Sequence, residues 1–361
     1  MKRILILLAA SLVAVSLNAQ SLRILVGTYT ENTAAEGVYL YSFDARTAET
    51  QLLDMAPSGN PSFVIASPDG KYAYAVNEYN DGREGVSSFR IGSDKIEPIN
   101  SVPIMGHDIN GADPCNILFT GSAIVTSNYT GGSVTAFPVE RNGIVCGMTQ
   151  SYTTGKSGEA HMHCAVESPD GKYIFVTNLG MDCIHRFNKE EGINPLGDYK
   201  IAWKNHGLVK YGPRHMVFSA DGRFAYVLCE LGDKLVVFSY SDGNLTPIQT
   251  LTAYTGKGHG SADIHLSPDG RYLYTSHRLK DDGIAIFYVN PASGKVEKAG
   301  YQSTGRHPRN FAISPDGKYL LCACRDDNII EIYSINSLSG ALTPTGKSIR
   351  VGAPVCIQFL P

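Results

Sequence analysis

Apolar and polar residues alternate along most of this chain in short runs, and the runs are separated by turns rich in Gly, Asp or Asn. The runs are rich in Val, Ile, Tyr and Phe, as in Tyr72-Ala-Tyr-Ala-Val76 and Tyr173-Ile-Phe-Val-Thr177. Such residues favour a pleated strand, and the alternation places successive side chains on opposite faces of it. Long stretches of Ala, Glu, Lys and Leu with helical periodicity are missing. The pattern therefore predicts an all-β chain.

A tight-turn motif recurs through the chain at nearly constant spacing. Ser-Pro-Asp-Gly begins at Ser67, Ser168, Ser267 and Ser314, and Ser-Ala-Asp-Gly begins at Ser219. Successive starts are 101, 51, 48 and 47 residues apart, so the first interval holds two repeats. Pro suits the second position of such a turn and Gly closes it. The missing turn is predicted at 119–121 in a form shortened by two residues.

Each repeat holds four short strands in about 45–50 residues, which is typical of one blade of a β-propeller. Six repeats contain the recurring turn, here called the anchor turn, in its complete or shortened form. The two ends of the chain together supply the strands of a seventh repeat. Residues 23–53 hold the last three strands of a blade, and Val355–Phe359 resembles the missing first strand. Pairing of the two ends closes the ring and covers its exposed sheet edges. The prediction is an all-β, seven-bladed β-propeller with four-stranded blades, a single domain over residues 20–361.

Composition and charge exclude some classes of protein. With 361 residues, of which 43% are hydrophobic and 18% charged, the chain has material for a large core and is not of the disordered class. The formal net charge is −3 and no run of basic residues occurs. An electrostatic grip on nucleic acid is therefore not expected.

The first residues have the features of an export signal. Lys2 and Arg3 precede an apolar stretch of 14 residues, Ile4–Leu17. That length suits a signal peptide and is too short for a transmembrane span. Cleavage is expected after Ala19, with an uncleaved anchor as the alternative. We therefore expect residues 1–19 to be a signal peptide and the mature chain to be exported to the periplasm, with no membrane span.

The eight cysteines do not form the dense framework of a small secreted domain. Cys322 and Cys324 lie two residues apart, so their side chains share one face of a strand, and this spacing is unlike the C-x-x-C of a metal clip. Most of the others lie in apolar runs, where a thiol acts as a small buried side chain. One or two disulfides stay open, with no pairing assigned.

The repeat also predicts which residues meet at the centre of the ring. First strands line the central channel, so equivalent positions in successive repeats form rings around its axis. The position five residues before the anchor Ser, here the inner ring, reads Ser62, Cys115, His163, Arg214, Ala262 and Arg309. The next position reads Phe63, Asn116, Cys164, His215, Asp263 and Asn310. A strand-end ring, eight residues after the turn Gly, reads Glu78, Tyr129, Leu179, Glu230, Arg278 and Arg325.

Charged groups gathered at one level of a channel are costly unless they are used. For any one of these residues, an ion pair that ties two blades together is an equal alternative. For His163, Arg214, Glu230 and Arg278 taken together we favour a functional site. His161 lies two residues before His163 and is expected to point to the same side. We interpret four other histidines as surface or loop residues: His185, His206, His259 and His307.

Several strings resemble the lactonase family of seven-bladed propellers, which contains the propeller-type 6-phosphogluconolactonases. They occur in order along the chain: Gly27-Thr-Tyr-Thr30, Asn60-Pro-Ser-Phe63, Val76-Asn-Glu78, Asp113-Pro-Cys115, Ser127-Asn-Tyr-Thr-Gly-Gly132, His161-Met-His163, Asn178-Leu-Gly180, Gly212-Pro-Arg-His215 and Glu230-Leu231. The family also resembles a fungal carboxymuconate lactone cyclase that uses a His, two Arg and a Glu. By motif, this resemblance implies catalytic roles for His163, Arg214, Glu230 and Arg278. We expect the substrate to bind at His161, His215, Asp263, Arg309, Glu78 and Asn128.

The chemistry of these residues suits the opening of a cyclic ester. Hydrolysis develops negative charge on the carbonyl oxygen, which Arg214 or Arg278 can stabilise. Glu230 or His163 can take a proton from the attacking water. No G-x-S-x-G elbow and no carboxylate cluster typical of a catalytic Ca²⁺ occurs, so we expect metal-free and cofactor-free hydrolysis of a small sugar-acid lactone. The alternatives are a carboxymuconate-type cycloisomerase and a non-catalytic propeller that binds a sugar or a protein.

Overall fold

Four-stranded antiparallel sheets repeat seven times along the chain, as the turn motif predicts. The computed structural model describes residues 21–105, 110–156, 158–201, 210–256 and 260–361. The predicted signal peptide, His206 and His259 lie outside the described residues. Within those ranges the one helical element is a short 3-10 turn, η1 (Arg325–Asp327). No helix in the described part of the chain is long and apolar enough to cross a membrane.

The strands are numbered in chain order and grouped by blade. Blade 1 holds β1 (Ser21–Thr28), β2 (Gly37–Asp44), β3 (Thr50–Pro57) and the C-terminal β28 (Pro354–Phe359); blade 2 holds β4 (Val64–Ala66), β5 (Tyr72–Asn77), β6 (Gly85–Ile91) and β7 (Ile96–Pro103); blade 3 holds β8 (Pro114–Phe119), β9 (Ala123–Asn128), β10 (Ser133–Pro138) and β11 (Gln150–Thr153). Blade 4 holds β12 (Met162–Glu167), β13 (Tyr173–Asn178), β14 (Cys183–Asn188) and β15 (Pro195–Lys200); blade 5 holds β16 (Pro213–Phe218), β17 (Phe224–Cys229), β18 (Lys234–Ser241) and β19 (Asn244–Thr252). Blade 6 holds β20 (Ser261–Leu266), β21 (Tyr272–His277), β22 (Gly283–Val289) and β23 (Val296–Ser303); blade 7 holds β24 (Pro308–Ile313), β25 (Tyr319–Cys324), β26 (Ile329–Ile335) and β27 (Leu342–Arg350).

The two ends of the chain close the ring. In blade 1, β28 pairs antiparallel with β1, so that Leu25 lies opposite Gln358 and Val26 opposite Ile357. Beyond the strand, the Leu360 N–H donates to the Arg23 carbonyl at 2.9 Å. The predicted closure by N- and C-terminal strands is confirmed, and the pairing satisfies the edge that β1 would otherwise expose.

The residues of the anchor turn themselves account for its conformation. In blade 2 the Ser67 hydroxyl donates to the Asp69 carboxylate at 2.6 Å and accepts the Tyr72 N–H at 3.0 Å. Gly70 has φ of +66°, a conformation that a residue with a side chain rarely adopts. The Ser, the Asp and the Gly of the motif thus each stabilise the turn from the innermost strand to the second strand.

The core lies between blades rather than inside them. The seven apolar clusters each draw side chains from two neighbouring blades, as where Phe43 of blade 1 packs with Leu321 of blade 7. All eight cysteines are free, and all but Cys146 are buried. Their interpretation as small buried side chains is confirmed, and no disulfide forms among them. The blades are therefore held by apolar packing around the ring.

Candidate active site

A polar cavity of about 210 Å³ lies between the innermost strands at the end where the second strands of the blades terminate. Side chains from six blades line it: Glu78, Cys115, Tyr129, His163, Arg214, Glu230, Arg278 and Arg309. Every one of these residues belongs to the inner ring or to the strand-end ring. The cavity therefore brings together the four residues predicted to be catalytic and two of those predicted to bind substrate.

A β-bulge in the innermost strands of blades 3, 4, 5 and 7 aims the inner-ring residue into the cavity. In blade 5, Pro213 pairs with Cys229 and His215 with Leu228, so Arg214 between them has no ladder partner. The same shift leaves His163 unpaired in blade 4 and Arg309 unpaired in blade 7. Bulges re-aim a side chain in this way, and they recur next to active sites.

Backbone hydrogen bonds fix the strand-end ring. Each of its cavity residues follows the last residue of a second strand and donates its N–H to a carbonyl just before the innermost strand of the same blade. The Glu230 N–H donates to Gly212 at 2.7 Å, and the Arg278 N–H donates to Gly260 at 3.2 Å. The two rings are therefore held at one level by the blade backbone.

Glu230 bridges two arginines across blades 5 and 6. Its Oε2 lies 2.9 Å from the Arg214 Nε, and its Oε1 accepts a hydrogen bond from the Arg278 Nη2 at 3.0 Å. Burial opposes ionisation of Glu230, but the charges of Arg214 and Arg278 outweigh it and hold the pKa of the carboxyl below its usual range. Glu230 is therefore an anion that is already paired, which makes it a poor proton acceptor.

The cavity carries an excess of positive charge. It holds three guanidiniums against the carboxylates of Glu78 and Glu230. Burial, and then the neighbouring Arg214, lower the pKa of Arg278 to about 9. Such crowding of like charge in a half-enclosed place is relieved when an anion binds, or when negative charge develops there during a reaction.

His163 is the neutral member of the set. Its side chain is buried, and the Nδ1 atom has no hydrogen-bond partner among the described residues. Burial, and then the charge of Arg214, hold the pKa of His163 well below its usual range. At neutral pH the ring, which lines the cavity, is therefore uncharged, and its Nδ1 atom is buried.

Arg309 is the guanidinium with the most free donors. The structure gives it no hydrogen bond among the described residues, and its nearest carboxylate oxygen is Glu78 Oε2 at 3.7 Å. Glu78 in turn accepts a hydrogen bond from the Tyr29 hydroxyl at 2.8 Å. The fork of Arg309 is thus buried beside the cavity with N–H groups left to donate.

The other predicted binding residues lie around the cavity rather than in its wall. His161 stacks on Tyr129 with ring centroids 4.5 Å apart, and its Nδ1 lies 3.0 Å from the Tyr129 carbonyl. His215 and Asp263 form a buried pair at 2.6 Å. Asn128 is fully buried and turns into its own blade, where its amide donates to the Ser133 hydroxyl at 2.9 Å. The structure therefore does not bring Asn128 to the cavity.

Two cavity residues were not among those predicted to act, although both stand in the rings. Tyr129 follows β9, and Cys115 is the bulged residue of β8. Their positions in the strand-end ring and the inner ring already indicated that they would line the cavity. Burial raises the pKa of the Cys115 thiol far above its usual value, so it stays protonated and is not a nucleophile.

Two histidines interpreted as surface or loop residues are buried, and that interpretation is wrong. His185 is fully buried in β14, where its Nδ1 lies 2.6 Å from the Asp198 carboxylate. His307 is 7% exposed and its Nε2 lies 3.3 Å from Arg278 Nη1, at the edge of the cavity. His185 is paired within its own blade, whereas His307 lies in the loop before β24 and contacts Arg278 of the neighbouring blade.

Cys183, His185 and Asp198 are the three described residues close enough together to hold a metal ion. The Asn178 amide already faces His185 Nε2 at 3.1 Å, and the opposite ring nitrogen faces Asp198. Burial raises the pKa of the Cys183 thiol to about 12, so it stays protonated at neutral pH. The cluster is therefore satisfied as it stands, and it is outside the cavity.

Acidification is expected to destabilise the fold before most carboxylates titrate. Burial is the first cause that lowers the pKa of five histidines: His163, His185, His215, His277 and His307. Below about pH 6.5 these histidines bind protons in the unfolded chain but stay unprotonated in the folded chain. Each histidine therefore lowers the free energy of unfolding by up to about 1.4 kcal/mol for every pH unit of acidification. His265 acts in the opposite sense, because Asp263 raises its pKa despite its burial.

Calorimetry at different pH values tests the expected loss of stability on acidification. The thermal midpoint is expected to fall steadily from about pH 7 to pH 5, in the window set by an ordinary histidine pKa of about 6.5. Replacement of Asp44, an exposed turn carboxylate, by Asn serves as a control and is expected to leave the slope in this window unchanged. A midpoint that is flat from pH 7 to pH 5 would contradict the buried neutral histidines.

Comparison with known proteins gives a consistent result. Residues 23–359 match the family described as lactonase, 7-bladed beta-propeller. A 6-phosphogluconolactonase from Formosa agariphila is 33% identical over 355 residues, which cover 92% of this chain and 98% of that protein. A 6-phosphogluconolactonase from Bacillus subtilis is 29% identical, over 93% of this chain and 97% of that protein.

Solved structures agree with the sequence comparisons. A structure from Bacteroides fragilis is 41% identical and superposes with a TM-score of 0.88, covering 96% of this chain and 99% of that one. The periplasmic gluconolactonase of Pseudomonas aeruginosa is 30% identical with a TM-score of 0.85, covering 94% and 99%. The seven four-stranded blades, the closed ring and these matches together establish that the chain belongs to the lactonase family of seven-bladed β-propellers.

Proposed function

We propose that this protein hydrolyses a sugar-acid lactone, in the manner of a 6-phosphogluconolactonase, by attack of water on the ring ester within the polar cavity. The observation that carries the proposal is the neutral imidazole of His163 in the wall of a cavity whose other charged groups leave an excess of positive charge. A base that is uncharged and cations that await negative charge are the two things that ester hydrolysis needs.

We assign His163 as the general base. Its imidazole takes a proton from water as the water oxygen bonds to the carbonyl carbon, which leaves a tetrahedral oxyanion. When the oxyanion collapses, the bond from that carbon to the ring oxygen breaks, and His163 returns the proton to the departing oxygen. The products are an open-chain acid and a neutral His163, so the base is ready for another cycle.

Arg214 and Arg278 stabilise the oxyanion in this scheme. Glu230 holds both guanidiniums and balances part of their charge, and it stays ionised throughout. Preorganised cations in a half-enclosed cavity cost no reorganisation when the charge appears. Glu230 is thus proposed to organise the cations rather than to act as the base.

Arg309 is proposed to bind the hydroxyl or acid groups of the substrate. Its N–H groups are free, and the neighbouring Glu78, 3.7 Å away, can accept from substrate hydroxyls. The cavity of about 210 Å³ is smaller than the roughly 300–1,000 Å³ of sites for drug-sized ligands. A single sugar ring is a suitable size for it, whether or not a phosphate extends into solvent.

Export is part of the proposal. The apolar segment 4–17 predicts a cleaved signal, and one relative in the comparisons is a periplasmic gluconolactonase. Cell fractionation with N-terminal sequencing is expected to find a chain that begins near Gln20 outside the cytoplasm. A cytoplasmic protein that begins at Met1 would overturn this, and would favour a phosphorylated intracellular lactone as substrate.

Replacement of Arg214 by Lys tests the proposed site. Lys keeps the charge but loses the planar fork that contacts Glu230 and His215, so kcat on the best lactone is expected to fall by roughly 10²-fold. Initial rates are measured in a pH-stat, as base uptake for phosphorylated and plain aldonolactones and as acid uptake for an unsaturated dicarboxylate, whose ring closure consumes a proton. Circular dichroism confirms that the variant is folded.

The matched control is Arg271→Ala. Arg271 is an exposed arginine beside an anchor turn, where it pairs with Asp269 at 2.7 Å, and its loss is expected to be nearly silent. Full activity in Arg214→Lys on a lactone that the parent hydrolyses would place the chemistry elsewhere. Turnover of the unsaturated dicarboxylate alone would identify the cycloisomerase alternative.

A further inference from the structure

A buried hydrogen-bond chain runs from the cavity into the ring below it. Arg214 Nη1 lies 3.1 Å from His215 Nε2, and His215 Nδ1 lies 2.6 Å from Asp263 Oδ1. The same Nη1 donates to the Ala262 carbonyl at 2.5 Å. His215 is 6% exposed and Asp263 is 3% exposed. The guanidinium that enters the cavity is therefore anchored from behind by residues that do not line it.

Asp263 is held as a buried anion by several donors. Besides His215, its other oxygen accepts from the Asn310 amide at 2.5 Å, His265 Nε2 at 2.9 Å and the Phe311 N–H at 3.2 Å. Burial would raise the pKa of Asp263, but its contacts with His265 and His215 outweigh burial and hold the pKa well below the usual range. The carboxylate is thus fixed in place and can only accept hydrogen bonds.

These partners determine the tautomer of His215. An ionised carboxylate accepts only, so His215 Nδ1 carries the proton that faces Asp263. A guanidinium donates only, so His215 Nε2 must be the bare nitrogen that receives the Arg214 Nη1–H. Imidazoles in solution prefer the proton on Nε2, and that tautomer would direct an N–H against an N–H of Arg214.

We propose that His215 and Asp263 are positioning residues, which hold the Arg214 guanidinium in the geometry needed for oxyanion stabilisation by fixing His215 as the Nδ1–H tautomer. The role rests on the proposed function, because it acts through Arg214 alone. It differs from the substrate-binding role expected for these residues from the sequence. A carboxylate behind a histidine orients catalytic groups by the same tautomer logic in metal sites and catalytic triads.

Nitrogen NMR of protein labelled at histidine tests the geometry without any substrate. The His215 resonance, identified by its loss in His215→Gln, is expected to have the pattern of an Nδ1–H tautomer in the parent. In Asp263→Asn the anionic acceptor of the Nδ1–H is gone, and an Nε2–H form is expected to appear in the molecules in which Arg214 has lost its contact to Nε2. An Nε2–H tautomer in the parent would overturn the proposal, even if the protein hydrolyses no lactone.

Kinetics separate positioning from general stability. Asp263→Asn is expected to lower kcat by roughly 10-fold or more while KM changes less than about threefold, because oxyanion stabilisation acts in the transition state. In the Arg214→Lys background the same change is expected to cost less than about twofold, since the group it positions is already gone. An equal penalty in both backgrounds would contradict action through Arg214.

A pair of substitutions at His215 adds a second route if Asp263→Asn folds poorly. Gln can present an acceptor near the position of Nε2 and so keep the contact to Arg214, whereas Asn reaches only Asp263. His215→Gln is therefore expected to retain at least about fivefold more activity than His215→Asn. Equal losses in the two variants would count against the role of the Nε2 contact.

The control is another histidine–carboxylate pair, in which the histidine is buried and the carboxylate is exposed. Asp198 faces His185 at 2.6 Å, the same distance as in the Asp263–His215 pair, but His185 faces an amide instead of an arginine and does not line the cavity. Asp198→Asn is expected to lower stability without changing kcat. A drop in kcat as large as that of Asp263→Asn would mean that any histidine–carboxylate pair with a buried histidine has this effect, and would overturn the proposal.

Discussion

Replacement of His163 by Ala is expected to lower kcat on the best lactone by roughly 10²- to 10³-fold, which is the range for loss of a general base. This ring is the neutral imidazole of the cavity wall, and Ala leaves nothing in its place to take the proton from water. The measurement is kcat and KM by base uptake, with the thermal midpoint as a check on folding. KM is expected to change little, because the proton moves in the transition state.

The pH profile distinguishes His163 from Glu230 as the base. Because the pKa of His163 is depressed, kcat/KM of the parent is expected to stay high below about pH 6.5 and to fall only at more acidic pH. Glu230→Gln is expected to lower the rate but to keep this acid limb, whereas His163→Ala loses it. An acid limb that survives in His163→Ala and vanishes in Glu230→Gln would exchange the two roles.

Deletion of Val355–Pro361 is expected to abolish folding of the isolated chain. The segment buries five apolar side chains, namely Val355, Cys356, Ile357, Phe359 and Leu360. At about 1.5–3 kcal/mol for each large buried side chain, the loss approaches the whole stability of an ordinary domain, about 5–15 kcal/mol. The truncated ring also exposes the edge of β1, so gel filtration is expected to give aggregates in place of a monomer with a cooperative melt.

Removal of Pro361 alone is the control for this deletion. Pro361 is exposed and lies beyond β28, so its loss is expected to leave the midpoint within a few degrees of the parent. A truncated protein that lacks all seven residues and still melts at the parent temperature would contradict closure by the terminal strand.

The architecture could be predicted from the sequence because the fold is built from repeats. The anchor turn at Ser67 and its counterparts set the phase of every blade, and the phase then assigned Arg214 to the inner ring and Glu230 to the strand-end ring. Because the repeats are equivalent, the position of a residue within its own repeat predicts whether its side chain lies at the axis of the ring. For this reason the cavity wall could be predicted, including Cys115 and Tyr129, which share those positions.

The remainder depends on contacts that no local pattern encodes. The bulge beside Arg214 turns neighbouring inner-strand residues toward different levels of the ring, so His215 and Asp263 lie behind the cavity wall. Asn128 ends β9 and points into its own blade. His307 was interpreted as a loop residue, yet packing against Arg278 from blade 6 buries it. Side-chain direction at strand ends is decided by these neighbours and not by residue type.

A crystal structure of the protein with the sugar-acid product of its best lactone is the most direct test of catalysis in this cavity. The product carboxylate is expected between the guanidiniums of Arg214 and Arg278, with one of its oxygens within hydrogen-bond distance of the His163 imidazole. A carboxylate bound instead in the more open cleft of about 440 Å³ beside Arg325 and Asp326 would contradict the account.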